Sequence, residues 1–196
     1  MSALTVEDKK SLLILARSVI ESELVEGAEI KRPGHISPAL NEKRGCFVTL
    51  HKGGLLRGCI GTIEAVNSLL SNVEENAANA AFKDPRFPPL ERDELSAVDI
   101  EISVLTVPQI IDFEDGEDLK QKIKPGVHGL ILSRDWLSAT YLPQVWEQLP
   151  DKESFLEHLC QKAGMERTCW KDTNTRVKVY QAEYFSESLS FQPSHE

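Results

Sequence analysis

The sequence contains no long apolar stretch of the kind that crosses a membrane, and its first residues lack the pattern of a secretory leader. Its first eight residues carry no basic segment followed by an apolar run. No later stretch approaches the roughly 20 consecutive apolar residues of a membrane-spanning helix. We therefore predict a cytoplasmic protein that does not enter the membrane.

Cysteine and histidine are sparse and scattered. The four cysteines, at positions 46, 59, 160 and 169, lack the paired Cys-x-x-Cys spacing of zinc sites and redox dithiols, and the five histidines are equally dispersed. Because local spacing assembles no set of ligands, we predict four reduced thiols and no metal site. A chain of 196 residues is also long enough to build its own core without a metal or a disulfide.

Several signatures of catalysis are absent as well. The chain has no Gly-x-x-x-x-Gly-Lys phosphate loop, no dinucleotide fingerprint, no Gly-x-Ser-x-Gly elbow and no His-Glu-x-x-His. No cofactor is therefore predicted. The 22 Lys and Arg against 31 Asp and Glu give a net charge of −9, which repels phosphate backbones and argues against nucleic acid as a partner.

Hydrophobic patterning in the first half predicts two helices around a hairpin. Apolar residues recur at helical spacing after a start signal at Thr5 and Asp8, and again after Ser68. Two strand-like runs, 46–51 and 55–63, lie on either side of a Lys-Gly-Gly turn.

The second half continues the alternation of strands and helices. Residues 98–105 alternate apolar and polar side chains, which is typical of a half-buried strand. We then predict a short helix beginning near Asp115, a strand at 129–133, a helix at 151–163 and a last strand at 175–184. Helices packed on a mostly antiparallel sheet define an α+β fold.

The most informative stretch is Leu56-Arg57-Gly58-Cys59-Ile60-Gly61, called the 56–61 motif below. A nearby positive charge lowers the pKa of a thiol, and Arg57 is a candidate to supply that charge to Cys59. Glycines within a strand mark a bulge or the close approach of a ligand or another backbone. In the competing interpretation Cys59 is a small buried hydrophobe and the glycines only bend the strand.

The register of the hairpin decides between these interpretations. With a two-residue glycine turn, Cys59 lies opposite Val48 on the buried face. With a three-residue turn, Cys59 lies opposite Phe47, and Thr49 and His51 share its face as part of a polar site. The sequence is compatible with both registers.

Two further segments have a functional and a structural interpretation. The first is Asp84-Pro85-Arg86-Phe87-Pro88-Pro89, the 84–89 loop, whose three prolines make it rigid enough for recognition. Alternatively, it is a stiff connection in which Asp84 caps the preceding helix or pairs with Arg86. The second segment, 141–146, is either a peptide-binding edge or core packing around Trp146.

Five segments resemble the AMMECR family, and within it the prokaryotic type called AmmeMemoRadiSam system protein A. They occur in the family's order and are Gly45-Cys46-Phe47-Val48-Thr49-Leu50-His51-Lys52, then Leu56 to Thr62, Asp84 to Leu90, Glu101-Ile102-Ser103-Val104-Leu105 and Ala139-Thr140-Tyr141-Leu142-Pro143-Gln144-Val145-Trp146.

The resemblance implies an α+β fold with a larger portion and a smaller subdomain, which we place near the middle of the chain. We expect one AMMECR domain over residues 4–185 and a polar tail over 186–196. It also implies a role beside a Memo-like protein and a radical S-adenosylmethionine protein. Because the chain lacks the cysteine triplet of an iron–sulfur radical enzyme, that chemistry would belong to the partner.

Two functional hypotheses follow. In the first, the 56–61 motif is a site for a small molecule or a peptide, with Cys59 as nucleophile or contact thiol, Arg57 orienting an anion and His51 or Asp84 handling a proton. The expected binding residues are Leu56, Gly58, Ile60, Gly61, Asp84 and Arg86. In the second, the protein is a noncatalytic module that binds a protein partner, and Cys59 is structural. The sequence does not decide whether the protein is an enzyme.

Overall fold

The computed structural model describes residues 2–190, with side chains through residue 188. Its helices are α1 (Val6–Leu24), α2 (Pro38–Asn41), α3 (Leu69–Phe82), α4 (Gly116–Lys122), α5 (Lys152–Lys162) and α6 (Glu187–Ser190). Its strands are β1 (Cys46–Lys52), β2 (Leu55–Thr62), β3 (Val98–Leu105), β4 (Gln109–Ile111), β5 (Gly129–Arg134), β6 (Leu137–Tyr141), β7 (Arg176–Tyr180) and β8 (Ala182–Ser186). Short 3-10 turns lie at Arg92–Glu94, Pro143–Glu147 and Cys169–Lys171.

These elements form two units, each with its own sheet and core. The larger unit runs through Leu105 and resumes at Glu183, and the smaller unit is Thr106–Ala182. All strand pairs described within the two four-stranded sheets are antiparallel. The predicted α+β fold, with a larger portion and a smaller subdomain, is confirmed.

In the larger unit, α1 and α3 pack on a sheet of strand order β2-β1-β3-β8. The predicted start of α1 is confirmed as a capping box, in which the Thr5 side chain accepts from the Asp8 amide and the Asp8 carboxylate accepts from the Thr5 amide. The sheet face that meets the helices carries the buried apolar side chains of β1 and β3, such as Val48, Leu50 and Ile100.

A bulge in β2 gives the hairpin a register that neither sequence prediction contains. Lys52 pairs with Leu55, so Gly53 and Gly54 form a two-residue turn, and both have positive φ. His51 then pairs with Leu56, but Leu50 pairs with Gly58, which leaves Arg57 as an extra residue. Cys59 therefore lies opposite Thr49, and the predicted partners Val48 and Phe47 were both wrong.

In the smaller unit, α4 and α5 pack on a sheet of strand order β4-β7-β5-β6. The predicted helix at 151–163 is confirmed as α5, with Asp151 as its N-cap. The single last strand predicted at 175–184 is instead two strands, β7 and β8, which belong to different sheets. The short elements α2, β4 and β6 were not predicted from the sequence.

The prediction of four reduced thiols was wrong for two of them. Cys160 and Cys169 form a disulfide, with their Cα atoms 6.0 Å apart and nine residues apart in sequence. They meet because the chain turns back after α5 and brings the 3-10 turn Cys169–Lys171 against that helix. Cys46 and Cys59 remain free thiols.

The start of the predicted polar tail has defined structure. Ser186 ends β8, and Glu187 begins α6, where its carboxylate pairs with Arg17 of α1 and accepts from the amide of Ile100. Residues 191–196 of that tail lie outside the described residues. Within residues 2–190, none of the helices is long and apolar enough to cross a membrane.

Candidate functional site

The Cys59 thiol lies on the sheet face opposite the helices and is half-buried. Thr49, its cross-strand neighbour, donates a hydrogen bond from Oγ1 to Cys59 Sγ at 3.3 Å. Burial raises the pKa of the Cys59 thiol, and the Asp84 carboxylate acts in the same direction. The Thr49 hydroxyl and the Arg86 guanidinium oppose this rise without cancelling it. Cys59 is therefore held mainly as a neutral thiol at neutral pH.

The backbone of Cys59 is held by the 84–89 loop. Its amide donates to Asp84 Oδ2 at 2.8 Å, and its carbonyl accepts from Arg86 Nη2 at 3.1 Å. Because β2 is an edge strand, these two backbone groups point away from the sheet. The side chains of Asp84 and Arg86 thus take the place that a neighbouring strand would occupy at this residue.

Asp84 and Arg86 also bind each other. Arg86 Nε donates to Asp84 Oδ1 at 2.9 Å, Nη2 donates to Oδ2 at 2.6 Å, and the Arg86 amide adds a third bond to Oδ1 at 3.1 Å. The Asp84 side chain is buried, and these hydrogen bonds, Arg86 first, hold its pKa well below the usual range. Of the two structural interpretations of Asp84, the structure has the Arg86 pair, since the cap residue of α3 is Lys83.

Arg57 occupies the bulge of β2, and its guanidinium makes four hydrogen bonds within the chain. Nε and Nη2 donate to the two carboxylate oxygens of Glu94 at 3.0 and 2.8 Å, while Nη1 and Nη2 donate to the carbonyls of Pro88 and Pro89 at 3.0 and 3.3 Å. Lys52 adds a second cation to Glu94 at 2.9 Å. Hydrogen bonds from Arg57 and Lys52 hold the pKa of Glu94 well below its usual range.

The geometry therefore does not support the expectation that Arg57 activates the Cys59 thiol. Arg57 lies on the carboxylate of Glu94, and the guanidinium that lowers the pKa of Cys59 is that of Arg86. Glu94 was not among the predicted site residues, and it lies 37 residues from Arg57. No local pattern connects the two residues.

The two glycines of the motif are explained by packing within the chain. A Cβ on Gly58 would lie 2.2 Å from the carbonyl oxygen of Ala80 in α3, so this strand residue must lack a side chain. A Cβ on Gly61 would lie 2.2 Å from the ring of Phe47 on the other sheet face. Ile60 packs against the larger core, whereas Leu56 is 41% exposed.

His51 lies one step further along the outer face. In the sheet, His51 pairs with Leu56 of β2 on one side and with Asp99 of β3 on the other. Two residues earlier in β1, Thr49 pairs with Cys59 of β2 and with Glu101 of β3. The alternation of β3 in the sequence already places Asp99 and Glu101 on one face, but it gives no sign that this face is the one that carries Cys59. Among residues 2–190, no three His, Cys, Asp or Glu side chains are grouped so that they could hold a metal ion.

The aromatic segment 141–146 belongs to the core of the smaller unit. Trp146 is buried, donates from Nε1 to the carbonyl of His128 at 2.7 Å and stacks on Phe155 with ring centroids 3.6 Å apart. This supports the core interpretation of Trp146.

The fold and the site define an α+β protein of two units, in which a rigid proline-rich loop is fixed to a Cys-containing edge strand. The AMMECR1 family model matches residues 13–185, and the chain belongs to that family. It is 41% identical over 182 residues to a protein of Methanothermobacter thermautotrophicus, covering 92% of this chain and 95% of the relative. It is 38% identical over 190 residues to a protein of Methanocaldococcus jannaschii, covering 95% and 94%.

A solved structure is similar in fold. The crystal structure of an uncharacterized protein from Pyrococcus horikoshii matches with a TM-score of 0.84 at 39% identity, covering 93% of this chain and 92% of that one. The names of these relatives describe no activity.

Proposed function

We propose that the 56–61 motif and the 84–89 loop form a recognition surface for a protein partner, and that Cys59 is a contact or structural thiol rather than a nucleophile. The observation that carries this proposal is the commitment of Arg57. All four of its hydrogen bonds go to Glu94, Pro88 and Pro89 of the same chain, so it is not free to orient a substrate.

The exposed part of this surface is mixed in character. Leu55 is 75% exposed and Leu56 is 41% exposed, and both are large apolar side chains at the end of an edge strand. The Lys52 side chain is 47% exposed nearby, and because Lys52 and Arg57 share the single carboxylate of Glu94, one positive charge there is unbalanced. Apolar anchors beside a net positive charge suit a partner that presents apolar side chains together with a carboxylate.

The loop behind this surface is held rigidly. Asp84 and Arg86 fix it to Cys59, and Arg57 fixes its end at Pro88 and Pro89. The two guanidinium carbons also lie 5.9 and 5.6 Å from the centre of the half-buried Phe87 ring. A surface that is already ordered loses little entropy on binding, which favours recognition.

The first partners to test are a Memo-like protein and a radical S-adenosylmethionine protein, because the chain resembles the AmmeMemoRadiSam type of this family. We also propose a cytoplasmic location. A peptide or a small molecule that carries a carboxylate is the alternative ligand of the same surface.

Binding measurements with variants test the proposal. We expect purified Memo-like or radical S-adenosylmethionine protein to bind the wild-type chain in isothermal titration calorimetry, and Leu56→Asp to weaken binding about tenfold or more. Ile36→Asp is a matched control, since Ile36 is 51% exposed in a different part of the larger unit. Equal affinities of the two variants, or no binding to either protein, would contradict the proposal.

A further inference from the structure

A polar cavity lies in the smaller unit, at the tip of the β5–β6 hairpin. It has a volume of about 470 Å³ and is lined by Ser133, Arg134, Asp135, Asn174 and Arg176. All five lining residues are polar or charged, so the cavity suits a polar or charged group rather than an apolar one. The recognition surface proposed above belongs to the larger unit, so this cavity requires a separate explanation.

Strand register brings Ser133 and Arg176 together. They are a directly opposed pair on β5 and β7, and their neighbours Leu132 and Val177 are fully buried on the other face. The side chains of Ser133 and Arg176 therefore point to the face opposite the core, where a hydroxyl and a guanidinium lie side by side.

Arg176 is an uncompensated cation. Its side chain is exposed, and among residues 2–190 no carboxylate forms an ion pair with it. The chain carries a net charge of −9, so an unpaired guanidinium beside a polar cavity is not what general solubility requires. A planar guanidinium is suited to bind two oxygens of a carboxylate or a phosphate at once.

A second guanidinium is fixed in the wall of the cavity. Arg134 donates from Nε to Thr175 Oγ1 at 3.2 Å and from Nη2 to the Cys169 carbonyl at 3.3 Å, and it pairs with Asp172 at 3.0 Å. Asp172 also accepts two bonds from Asn174, which fixes the amide side chain at the rim. Arg134 is thus held in place, and its charge is balanced by Asp172, which leaves Arg176 as the unpaired cation of the cavity.

Asp135 is the one lining group that opposes an anion. It lies in the two-residue turn of the hairpin with a φ of 53°, a conformation that Asn adopts as readily as Asp. Its carboxylate can therefore be removed by Asp135→Asn without straining the turn.

We propose that this cavity binds a small oxyanion, a carboxylate or a phosphate group, with Arg176 and Ser133 as the contacting residues. The group would accept from the Arg176 guanidinium and from the Ser133 hydroxyl, beside the Asn174 amide at the rim.

Calorimetric titrations of the full chain with inorganic phosphate and, separately, with succinate test this site and distinguish the two anions. We expect saturable binding of at least one of them, about tenfold weaker in Arg176→Gln, weaker in Ser133→Ala and tighter in Asp135→Asn. Arg92→Gln is the matched control, because it removes the same charge from an exposed arginine outside the cavity.

Opposite effects of the Arg176 and Asp135 variants support a specific site, since a fold defect would weaken binding in both. The proposal is overturned if neither anion binds saturably, or if Arg92→Gln weakens binding as much as Arg176→Gln. Circular dichroism of each variant verifies the fold, and Ser133→Ala keeps the test decisive if Arg176→Gln unfolds.

Discussion

The carboxylate of Asp84 accepts the backbone amide of Cys59 at 2.8 Å, and this bond joins the two segments of the candidate site. The bond completes an edge strand that would otherwise present unpaired backbone groups. Arg86 donates a second hydrogen bond, to the Cys59 carbonyl, so the 84–89 loop and β2 are held together at both backbone groups of this residue. The residues that look most reactive in the sequence are thus the residues that hold the loop and the strand together.

Acid should weaken the larger unit through two carboxylates. The pKa values of Asp84 and Glu94 are lowered in the folded state, whereas in the unfolded chain they lie near about 3.9 and 4.3. Below those values the unfolded state binds more protons, so the stabilisation present above them is lost as pH falls through the lowered folded pKa values. Urea unfolding at a series of pH values from 7 down to about 3 measures the decline.

Removing either carboxylate should flatten that pH dependence. We expect Asp84→Asn and Glu94→Gln each to cost about 1–3 kcal/mol at neutral pH and to reduce the loss of stability in acid. Asp93→Asn is the control, because Asp93 is exposed beside Glu94. If Asp93→Asn changes the pH dependence of stability as much as the other two variants do, the lowered pKa values of Asp84 and Glu94 are not the cause of the loss of stability in acid.

The two glycines of the 56–61 motif should both resist a side chain. Gly58→Ala would press a methyl group against the backbone carbonyl of Ala80, and we expect a loss of about 1–3 kcal/mol. Gly61→Ala meets the Phe47 ring at 2.2 Å and also the backbone carbonyl oxygen of Cys46 at 2.7 Å, so movement of the ring alone does not make room and we expect a loss of similar size. Thermal unfolding compares the two with Gly34→Ala, where a Cβ has open space. A loss at position 58 or 61 no larger than the loss at position 34 would contradict this packing.

Arg57→Lys should lower stability, because one ammonium group cannot replace a fork that reaches a carboxylate and two carbonyls. We expect a loss of about 1–2 kcal/mol in denaturant unfolding. Arg92→Lys is the control, as an exposed arginine of the same turn as Glu94. Unchanged stability together with lost partner binding would instead restore the functional interpretation of Arg57.

Local signals in the sequence predicted the elements better than the site. Thr5 and Asp8 define a helix start within four residues, and the alternation of β3 gives the inner face of the sheet. The position of Cys59 depended on one extra residue at Arg57, and a bulge moves every later side chain to a new partner. Glu94 and the Cys160–Cys169 disulfide depend on tertiary contacts, which no spacing in the sequence encodes.

The reactivity of Cys59 tests the proposed role of the thiol most directly. Because burial raises its pKa, iodoacetamide should modify Cys59 at neutral pH more slowly than an unstructured cysteine peptide, and the rate should rise with pH. Thr49→Val and Arg86→Gln should slow the reaction further, since the Thr49 hydroxyl and the Arg86 charge both favour the thiolate.

The control cysteine is within the same chain. Burial raises the pKa of Cys46 to about 12, so that thiol should react only on unfolding, and peptide mapping by mass spectrometry separates the two positions. Arg57→Lys should leave the Cys59 rate unchanged, because the charge that acts on the thiol belongs to Arg86. Modification of Cys59 faster than the model peptide at neutral pH would mean an activated thiolate, and catalysis would then explain the motif better than recognition does.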